Sequence, residues 1–383
     1  MKKYLLYITT LIASFTVASC LEDPYLDGCP EETSVPVQLM LSFADNAPTS
    51  RDVSSSDTDL DYTTDPQSAM TQDDVYILVF NKDKTKLLYL VDDLTLGVVQ
   101  NDGYYTRALN GTMKSTTGGE NVSLVVLANL KNQGINIGTS TVKEYLLSDA
   151  CMGKSAEAIY KNLVYQYDTD DDANTTEPWN IDNRRIPMWG EITNIAVPNN
   201  GVTVDCYLYR AVAKVQVWVN DKKGIEGVVI TGITLININE SGYCVSWNQT
   251  PSLDEAIQYT DVTIPENLSA NTSISFTGLS VTDAFSDQIY LPEQLNTADV
   301  LDADGNVTTA GNSVELVVNY TLNGTVQEPI TCKFIDYDNF DKIIRNHSYI
   351  FNLVKNDTDM ELIITINNWN YRDVTYDNTP LTK

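Results

Sequence analysis

The sequence has few basic residues and a single histidine. It contains 24 lysine and arginine residues against 52 aspartate and glutamate residues, which gives the 383-residue chain a formal net charge of −28. Because such a charge repels a phosphate backbone, we expect no nucleic-acid partner. The single histidine, His347, excludes a histidine-based metal cluster, and no G-x-S-x-G motif lies near it. We therefore expect a structural histidine and no catalytic triad.

Cysteine is also scarce, and long apolar runs are missing after the N-terminus. The six cysteines are scattered and form no C-x-x-C pair, which argues against a zinc site. The acidic runs 168–172 and 302–306 lack the full ligand spacing of an EF-hand loop, so we expect solvated loops there. No apolar run after residue 19 is long enough to span a bilayer. The sequence thus predicts no metal and no cofactor.

The N-terminus has the pattern of an export signal. Two lysines precede the mostly apolar run 4–17, and Val17-Ala18-Ser19-Cys20 closes it. These four residues resemble a bacterial lipobox, in which the chain is cut before the cysteine and the cysteine carries lipid. The resemblance predicts a signal peptide over 1–19 and a surface-exposed protein held in the outer membrane by lipid on Cys20. The alternative is an ordinary signal peptide with a chance cysteine beside it.

Most of the chain has the pattern of β-strands separated by turns. Ten segments are rich in β-branched and aromatic residues, and several alternate apolar with polar side chains. They cover 35–43, 74–80, 86–91, 121–130, 202–210, 211–219, 228–238, 313–322, 348–354 and 361–369. Two helices are predicted over 140–149 and 155–166, each with a serine start. These patterns predict an all-β fold with few short helices, built as β-sandwiches.

Seven short stretches follow one another along most of the mature chain. They are DDVYILVFNKDKTKLLY (73–89), LVVLANL (124–130), IPMWGE (186–191), LYRAVAKVQV (208–217), IYLPEQ (289–294), RNHSYIFNL (345–353) and ITINNW (364–369). Their order, together with the lipobox, resembles the fimbrillin family of the Bacteroidales, the major and minor subunits of surface fimbriae. The resemblance implies two tandem transthyretin-like β-sandwich domains, which we place at 52–222 and 223–383.

The same resemblance implies a mechanism of assembly. Residues 20–51 would form a lipidated leader with the first strand of the fold. In this family an arginine-specific protease removes the leader and opens an apolar groove, which an extended strand from a neighbouring subunit then fills. Strand addition of this kind is stabilised both by backbone hydrogen bonds and by the burial of apolar side chains. The expected partners are therefore other fimbrial subunits, the protease and a host or bacterial adhesion target.

Two segments of this chain match the parts that the mechanism needs. Arg51 lies in a polar, proline-containing loop, so the expected cut falls between Arg51 and Asp52. The strand released by that cut carries four apolar residues on one face: Val37, Leu39, Leu41 and Phe43. The alternative is that Arg51 is simply a basic residue in a loop.

The last strand and the tail 370–383 are the candidate donor for the next subunit. The apolar residues of that strand are Leu362, Ile364, Ile366 and Trp369. The alternative is that this strand closes its own domain.

The position in the fibre and the class of function leave alternatives open. Cys29-Pro30, shortly after the lipid cysteine, resembles the anchor subunits of the same fimbriae, which keep their lipid. A different class is a surface glycan-binding lipoprotein, for which Trp179 and Trp189 would have to form an exposed aromatic platform. An enzyme is not expected, because no nucleophile–base motif and no metal cluster can be assembled.

Overall fold

The computed structural model describes residues 33–43, 69–101, 105–139, 141–167, 179, 184–219, 227–246, 271–277, 289–336, 341–355 and 360–368. Most of these residues lie in strands, and the helices among them are short. The predicted all-β fold class is therefore confirmed. The tandem transthyretin-like arrangement stays a prediction.

The described part of the chain up to residue 210 forms nine strands and two α-helices. Their bounds are β1 Ser34–Phe43, β2 Val75–Asn81, β3 Leu87–Leu90, β4 Asp92–Asn101, β5 Tyr105–Lys114, β6 Val122–Ala128, α1 Val142–Leu147, α2 Ala156–Tyr160, β7 Val164–Gln166, β8 Met188–Ile195 and β9 Val202–Arg210. Eight of these strands form one sheet in the order β3-β2-β6-β8-β9-β1-β5-β4. The first strand of the fold therefore lies inside the sheet and not at its edge.

Strands β2 and β6 are buried on both faces, which explains their nearly unbroken apolar sequences. One face, with Ile77, Val79, Leu124 and Val126, joins the core cluster that contains the side chains of β1. The opposite face, with Leu78 and Leu127 among others, packs in a second cluster that includes α1 and α2. A strand buried on both faces has no need of alternation. The sheet therefore separates two apolar layers.

Both helices are shorter than predicted, and the first is capped by Thr141 where a serine start was expected. The Thr141 hydroxyl accepts the Glu144 N–H, and the Glu144 carboxylate accepts the Thr141 N–H, which is a capping box at the start of α1. Ser155 caps α2 by accepting the Ala158 N–H at 3.3 Å. The predicted second helix over 155–166 is wrong in its last turn, because residues 164–166 form β7. That segment pairs with a distant strand of the chain, and tertiary pairing overrides its helical spacing.

The second half of the chain contributes fourteen strands within the described residues. Their bounds are β10 Val212–Val219, β11 Val228–Asn239, β12 Ser241–Tyr243, β13 Asn271–Thr277, β14 Ile289–Pro292, β15 Gln294–Leu295, β16 Val300–Leu301, β17 Val307–Thr309, β18 Glu315–Leu322, β19 Thr325–Val326, β20 Ile330–Lys333, β21 Lys342–Ile343, β22 His347–Lys355 and β23 Met360–Asn368.

These strands form two larger sheets and three short pairs. One sheet has the order β14-β10-β22-β23, and the other has β13-β11-β18-β19 with β20 also on β18. Apolar residues from both sheets, such as Val215 and Phe351 on one and Leu235 and Val318 on the other, belong to one core cluster. The short pairs are β7–β12, β15–β21 and β16–β17. The β7–β12 pair joins the two halves of the chain.

Strand β10 belongs by its pairing to the second half. It runs antiparallel to β14 and parallel to β22, with Val215 opposite both Ile289 and Tyr349. A division of the chain based on strand pairing therefore falls before β10. The predicted boundary between residues 222 and 223 stays a prediction, and we propose the earlier position.

Candidate functional site at strand β1

Strand β1 lies between two neighbours that run in opposite directions. It pairs antiparallel with β5, from Ser34 opposite Lys114 to Ser42 opposite Thr106. On its other edge it pairs parallel with β9, from Val37 opposite Val202 to Phe43 opposite Leu208. Both edges of β1 are thus hydrogen-bonded, although β1 is separated from β2 by a long stretch of sequence.

The side chains of β1 alternate between core and surface. Val35, Val37, Leu39 and Leu41 are at most 2% exposed. Pro36 is exposed, and Gln38 and Met40 are half-buried on the opposite face. The structure thus places the predicted leader residues Val37, Leu39 and Leu41 in the core. Phe43 is the last residue of the strand, and only its backbone is described.

The four inward residues fill a slot lined by aliphatic side chains. The lining belongs to one core cluster, with residues from the neighbouring strands β5 and β9 and from β2 and β6: Ile77, Val79, Leu109, Met113, Leu124, Val126, Cys206 and Leu208. The Cys206 thiol is fully buried, and burial raises its pKa far above the usual range. A protonated, buried thiol is unreactive and serves as a small apolar group here. The side chains around these four residues are therefore mainly apolar.

Both ends of β1 are closely held. At the N-terminal end, the Thr33 carbonyl accepts the Ser115 N–H at 2.8 Å. Gly201 there has φ +86°, and a Cβ at this position would lie 2.3 Å from the Pro36 carbonyl oxygen. The turn before β9 can approach β1 only because residue 201 is a glycine.

At the other end of β1, Arg107 of β5 lies opposite Leu41. Its Nε donates to the Gly97 carbonyl at 2.8 Å, and its Nη1 donates to the Met70 carbonyl at 3.1 Å. Arg107 therefore ties β5 to the irregular strand β4 and to the segment that leads into β2.

The wall of the slot formed by β2 and β6 is fixed by two buried polar residues. Asn129, which follows β6, has φ +62° and donates its side-chain amide to the Ala69 and Ile186 carbonyls at 2.8 and 2.9 Å. Asp74 accepts the N–H groups of Leu130 and Lys131 at about 3.1 and 3.0 Å. Burial raises the pKa of the Asp74 carboxyl to about 6. Asparagine tolerates the left-handed conformation better than most residues, which accounts for the Ala-Asn at the end of this strand.

The tryptophans considered for glycan binding are buried. Trp179 and Trp189 are 0% exposed, so the exposed platform that glycan binding would need is wrong for this pair. Trp179 contacts Tyr165, Tyr167 and Tyr290 edge-to-face, and Trp189 contacts Tyr209 in the same way. The acidic sequence around Trp179 had suggested exposure, but distant aromatic residues cover its ring.

Trp179 belongs to a buried cluster that we call the junction, because it joins the two halves of the chain. The junction comprises Gln133, Tyr165, Trp179, Arg184, Gly242, Glu293 and Arg345. The Gln133 side-chain oxygen accepts from Trp179 Nε1 and Arg184 Nε, both at 3.1 Å. A Cβ on Gly242 would lie 2.3 Å from the Tyr165 hydroxyl, so the β7–β12 pair closes over this ring only with glycine there.

The junction contains a buried ion pair between Arg345 and Glu293. Arg345 Nη2 is 2.5 Å from Glu293 Oε2, and both side chains are at most 5% exposed. The same nitrogen donates to the Tyr243 carbonyl at 2.9 Å. His347 lies close by in sequence and is also buried, with its Nδ1 2.8 Å from the Arg345 carbonyl oxygen. Since a carbonyl only accepts, Nδ1 carries the proton, and the histidine has a structural contact.

The acidic turn 302–306 uses its carboxylate internally. Asp302 Oδ1 accepts the N–H groups of Asp304 and Asn306 at 2.9 and 2.8 Å, and these bonds lower the Asp302 pKa. Among the residues that the structure describes, no group of three or more His, Cys, Asp or Glu side chains is arranged to hold a metal ion. Cys151, Cys206, Cys244 and Cys332 are buried free thiols.

The candidate donor strand is β23, which pairs antiparallel with β22 along its whole length, from His347 opposite Asn368 to Lys355 opposite Met360. Leu362 is 3% exposed in the core of the second half. Ile364 and Ile366 lie on the same strand, where only the backbone is described. Cys20, Arg51, Asp52, Trp369 and the segment 370–383 lie outside the described residues.

The sequence patterns did not identify two residues of the site. Gly111 and Arg107 lie on β5, a segment that we did not predict as a strand because of its polar and glycine residues. The Asp102-Gly103 pair before this segment is typical of a hairpin turn, but it does not predict the strand itself. In the described portion of the chain, no helix is long and apolar enough to cross a membrane.

Comparison with known proteins gives one family and a set of similar folds. The family model described as fimbrillin-A associated anchor proteins Mfa1 and Mfa2 matches residues 26–375. The tip fimbrial protein Mfa3 of Porphyromonas gingivalis, solved with a C-terminal truncation, is 14% identical at a TM-score of 0.51. That match covers 88% of this chain and 100% of Mfa3.

Two further solved structures match at lower TM-scores. The fimbrial anchor protein Mfa2 of Porphyromonas gingivalis is 13% identical at a TM-score of 0.32, over 87% of this chain and 98% of its own. A candidate cell adhesion protein of Bacteroides eggerthii is 15% identical at 0.45, over 88% and 96%. No curated protein matches the chain. At 14% identity the match to Mfa3 speaks for the fold alone, and no argument rests on the two matches with TM-scores below 0.5.

Proposed function

Because the chain belongs to the family of fimbrillin-A associated anchor proteins Mfa1 and Mfa2, we propose that it joins its neighbours by exchange of strand β1. Membership gives the chain a structural or adhesive role in surface fimbriae and not an enzymatic one. The finer proposal is a subunit exported as a lipoprotein and opened by proteolysis between Arg51 and Asp52.

The observation that carries the proposal is the combination of burial and topology at β1. Four aliphatic side chains of this strand lie in the core at exposures of 2% or less. Burying them contributes roughly 1.5 to 3 kcal/mol each, or roughly 6 to 12 kcal/mol together. That sum is comparable with the total stability of an ordinary domain, about 5 to 15 kcal/mol. A chain that loses β1 must therefore refill the slot to stay folded.

The neighbours of β1 would present two free edges once it left. Strand β5 would lose nine paired positions and β9 seven, both inside a sheet. Unpaired edges beside exposed apolar surface favour the addition of an extended segment. The replacement must run antiparallel to β5 and parallel to β9. The slot thus fits a strand from another fimbrial subunit, added in one direction.

The proposed cut and lipid lie on either side of β1 in the sequence. Lipid on Cys20 would hold the segment before β1 in the outer membrane, and a cut after Arg51 would separate β1 from the segment that enters β2. The two events together leave β1 with the membrane and the rest of the chain with the fibre. An uncut chain would instead stay lipidated. This is the role of the anchor subunits, which the position of Cys29-Pro30 after the lipid cysteine resembles.

The candidate donor for the next subunit is the last strand, β23, together with the tail 370–383. Strand β23 is the outermost strand of its sheet in the described residues and pairs with β22 of the same chain. Leu362 fills the core of its own domain. A donor role would require this strand to leave β22, whereas the alternative is that β23 closes its own domain and the tail 370–383 donates.

The deciding measurement is the N-terminus and mass of the protein isolated from cell surfaces. A start at Asp52 without lipid supports a cut subunit built into a polymer, and a lipidated start at Cys20 supports the anchor role.

Arg51→Ala and Arg51→Lys should both block the cut and polymer formation, because an arginine-specific protease rejects lysine. Polymers formed normally by Arg51→Lys would refute the assigned cleavage site. Cys20→Ala should remove the protein from the outer membrane, and normal display would refute the lipid anchor.

A further inference from the structure

The inward residues of β1 do not face equivalent positions on β5. The pairs are Val35 with Met113, Val37 with Gly111, Leu39 with Leu109, and Leu41 with Arg107. Three of the four opposite residues carry large side chains, and Gly111 carries none. Opposite residues in an antiparallel pair share one face of the sheet. The core face therefore has a gap in β5 directly across from Val37.

That gap is filled by the side chains of Val91, which lies between β3 and β4, and Leu94, near the start of β4. A Cβ on Gly111 would lie 2.7 Å from Val91 Cγ1 and 2.9 Å from Leu94 Cδ2. The backbone of Gly111 is not left-handed, so the glycine is required by space and not by conformation. Val91 and Leu94 thus occupy the volume that a side chain opposite Val37 would take.

The irregular start of β4 places these two side chains. The register between β4 and β5 shifts between Asp92 and Thr95, and Asp93 has φ +56°. Val91 is buried in the same core cluster as β1, and Leu94 packs against that cluster. A bulge that redirects side chains is a fixed feature of a strand pair and not a defect. The wall across from Val37 is therefore formed by two branched residues from outside the β5 strand.

We propose that Val91 and Leu94, packed over Gly111, set the register of whichever strand fills the slot by admitting only a valine-sized side chain opposite Gly111. The inference rests on the proposed function, since it matters only if β1 is replaced. A shift of one residue would turn every inward side chain to the surface. A shift of two residues keeps the faces but would place Leu39 or Val35 across from Gly111. In the first case Leu39 would meet Val91 and Leu94. In the second case a valine would again face Gly111, and that shift is disfavoured because the smaller Val37 would replace Leu39 across from Leu109 and leave a void.

The occupant defined by this geometry is an extended segment of another fimbrial subunit. It runs antiparallel to β5, with a valine-sized residue facing Gly111 and leucine-sized residues at the next two inward positions. Those positions face Leu109 and Arg107 on β5 and Val204 and Cys206 on β9. The change from a valine-sized to a leucine-sized side chain along the strand therefore fixes its register.

The test uses the full chain in detergent with a site-specific protease sequence replacing residues 46–50. The cut chain is unfolded in urea and separated from the freed segment that contains β1. It is then refolded with a fluorescent peptide of residues 33–43, whose binding is measured by anisotropy. Failure of this unchanged peptide to enter the cut chain would refute strand exchange itself, and with it the register proposal. Entry of the peptide supports exchange and makes the next comparison possible.

The register is then tested with two altered peptides and two altered chains. A Val37→Leu peptide should bind roughly 10- to 100-fold more weakly, because added methylenes in a filled core cost about 1 to 3 kcal/mol. A Met40→Leu peptide, altered on the half-buried outer face, is the matched control and should lose less than about threefold. A chain with Val91→Ala should regain most of the affinity for the Val37→Leu peptide. A second chain, with Leu94→Ala, is tested in the same way.

Rescue has to be specific to the position facing Gly111. A Leu39→Phe peptide should stay weak on both altered chains, because Val91 and Leu94 do not face that position. The proposal is overturned if the Val37→Leu peptide binds as tightly as the unchanged one. It is also overturned if neither Val91→Ala nor Leu94→Ala improves its binding, or if both improve the Leu39→Phe peptide equally.

Discussion

Strand β1 and the junction are both buried, but different kinds of contact hold them. Strand β1 contributes aliphatic side chains and two backbone ladders. The junction contributes an ion pair, a shared glutamine oxygen and a set of edge-to-face aromatic rings. Backbone ladders and aliphatic burial can be supplied by another strand of suitable size. The contacts of the junction depend on the identity of each residue.

The difference separates what can be exchanged from what must stay. Buried polar groups are costly when a partner is removed, so a single substitution in the junction should be more harmful than a matched replacement of both partners. The slot of β1 demands only direction, alternation and size. A subunit that exchanges one strand needs both properties, because the remaining fold must hold its shape while the slot is open.

The largest expected effect is the loss of one partner of the junction ion pair. Arg345→Met leaves the Glu293 carboxylate buried without its cation, and Glu293→Leu does the reverse. Each should lower the free energy of unfolding by about 3 to 5 kcal/mol, whereas the double variant should recover part of that loss. Urea unfolding of the uncut chain measures all three. Losses below about 1 kcal/mol in both single variants would mean that the junction is no more specific than the slot.

A smaller loss is expected for an inward residue of β1. Leu39→Ala removes a fully buried side chain and should lower the free energy of unfolding by about 2 to 5 kcal/mol. Met40→Ala, on the half-buried outer face, is the matched control and should cost less than about 1 kcal/mol. The two variants are compared by urea unfolding of the uncut chain. Equal losses would contradict the one-sided burial of β1.

The contrast between the two regions also explains what the sequence could predict. The alternation of Val35, Val37, Leu39 and Leu41 is local, so a strand with one apolar face follows from ten residues. The partner of that strand does not, because β5 contains polar residues and Gly111 and was not predicted as a strand. Its glycine is there because Val91 and Leu94 occupy the space, which no local pattern shows.

The junction was beyond sequence reasoning for a similar reason. Arg345 and Tyr243 are 102 positions apart, and Trp179 is covered by tyrosines from both halves of the chain. Composition around Trp179 is acidic, so exposure was the natural but wrong expectation. Segment 164–166 shows the same effect, since pairing with β12 converts a helical pattern to a strand. Local patterns predict elements, and contacts between distant segments decide which polar residues are buried.

The titration of Asp74 tests whether polar contacts stabilise the wall of the slot as they stabilise the junction. Burial raises its pKa to about 6 from 3.8, so the folded chain binds a proton between those pH values and the unfolded chain does not. The Asp74 contribution to stability is therefore largest at low pH and is lost as pH rises from about 4 to about 6. Over that window it should fall by about 1 to 3 kcal/mol.

The measurement compares wild type with Asp74→Asn in urea unfolding between pH 4 and pH 8. The other carboxylates are common to both chains, so their titration cancels in the difference. The difference should change between pH 4 and pH 6 and then level off. A flat difference over the whole range would mean that Asp74 titrates normally. A difference that favours wild type at higher pH would show that the three backbone N–H bonds outweigh burial.

The smallest expected effect concerns the outer face of β1, where Gln38 Nε2 donates to Asn110 Oδ1 at 2.9 Å. Both side chains are half-buried, so water can replace either partner, and Gln38→Ala should cost about 0.5 to 1 kcal/mol in urea unfolding. Asn110→Ala should cost the same, and the double variant should cost no more than one single variant. Additive losses would mean that each residue acts through other contacts. A coupled loss well above this range would place a residue-specific polar contact in the slot, and a replacement strand would then need a matching donor beside its valine.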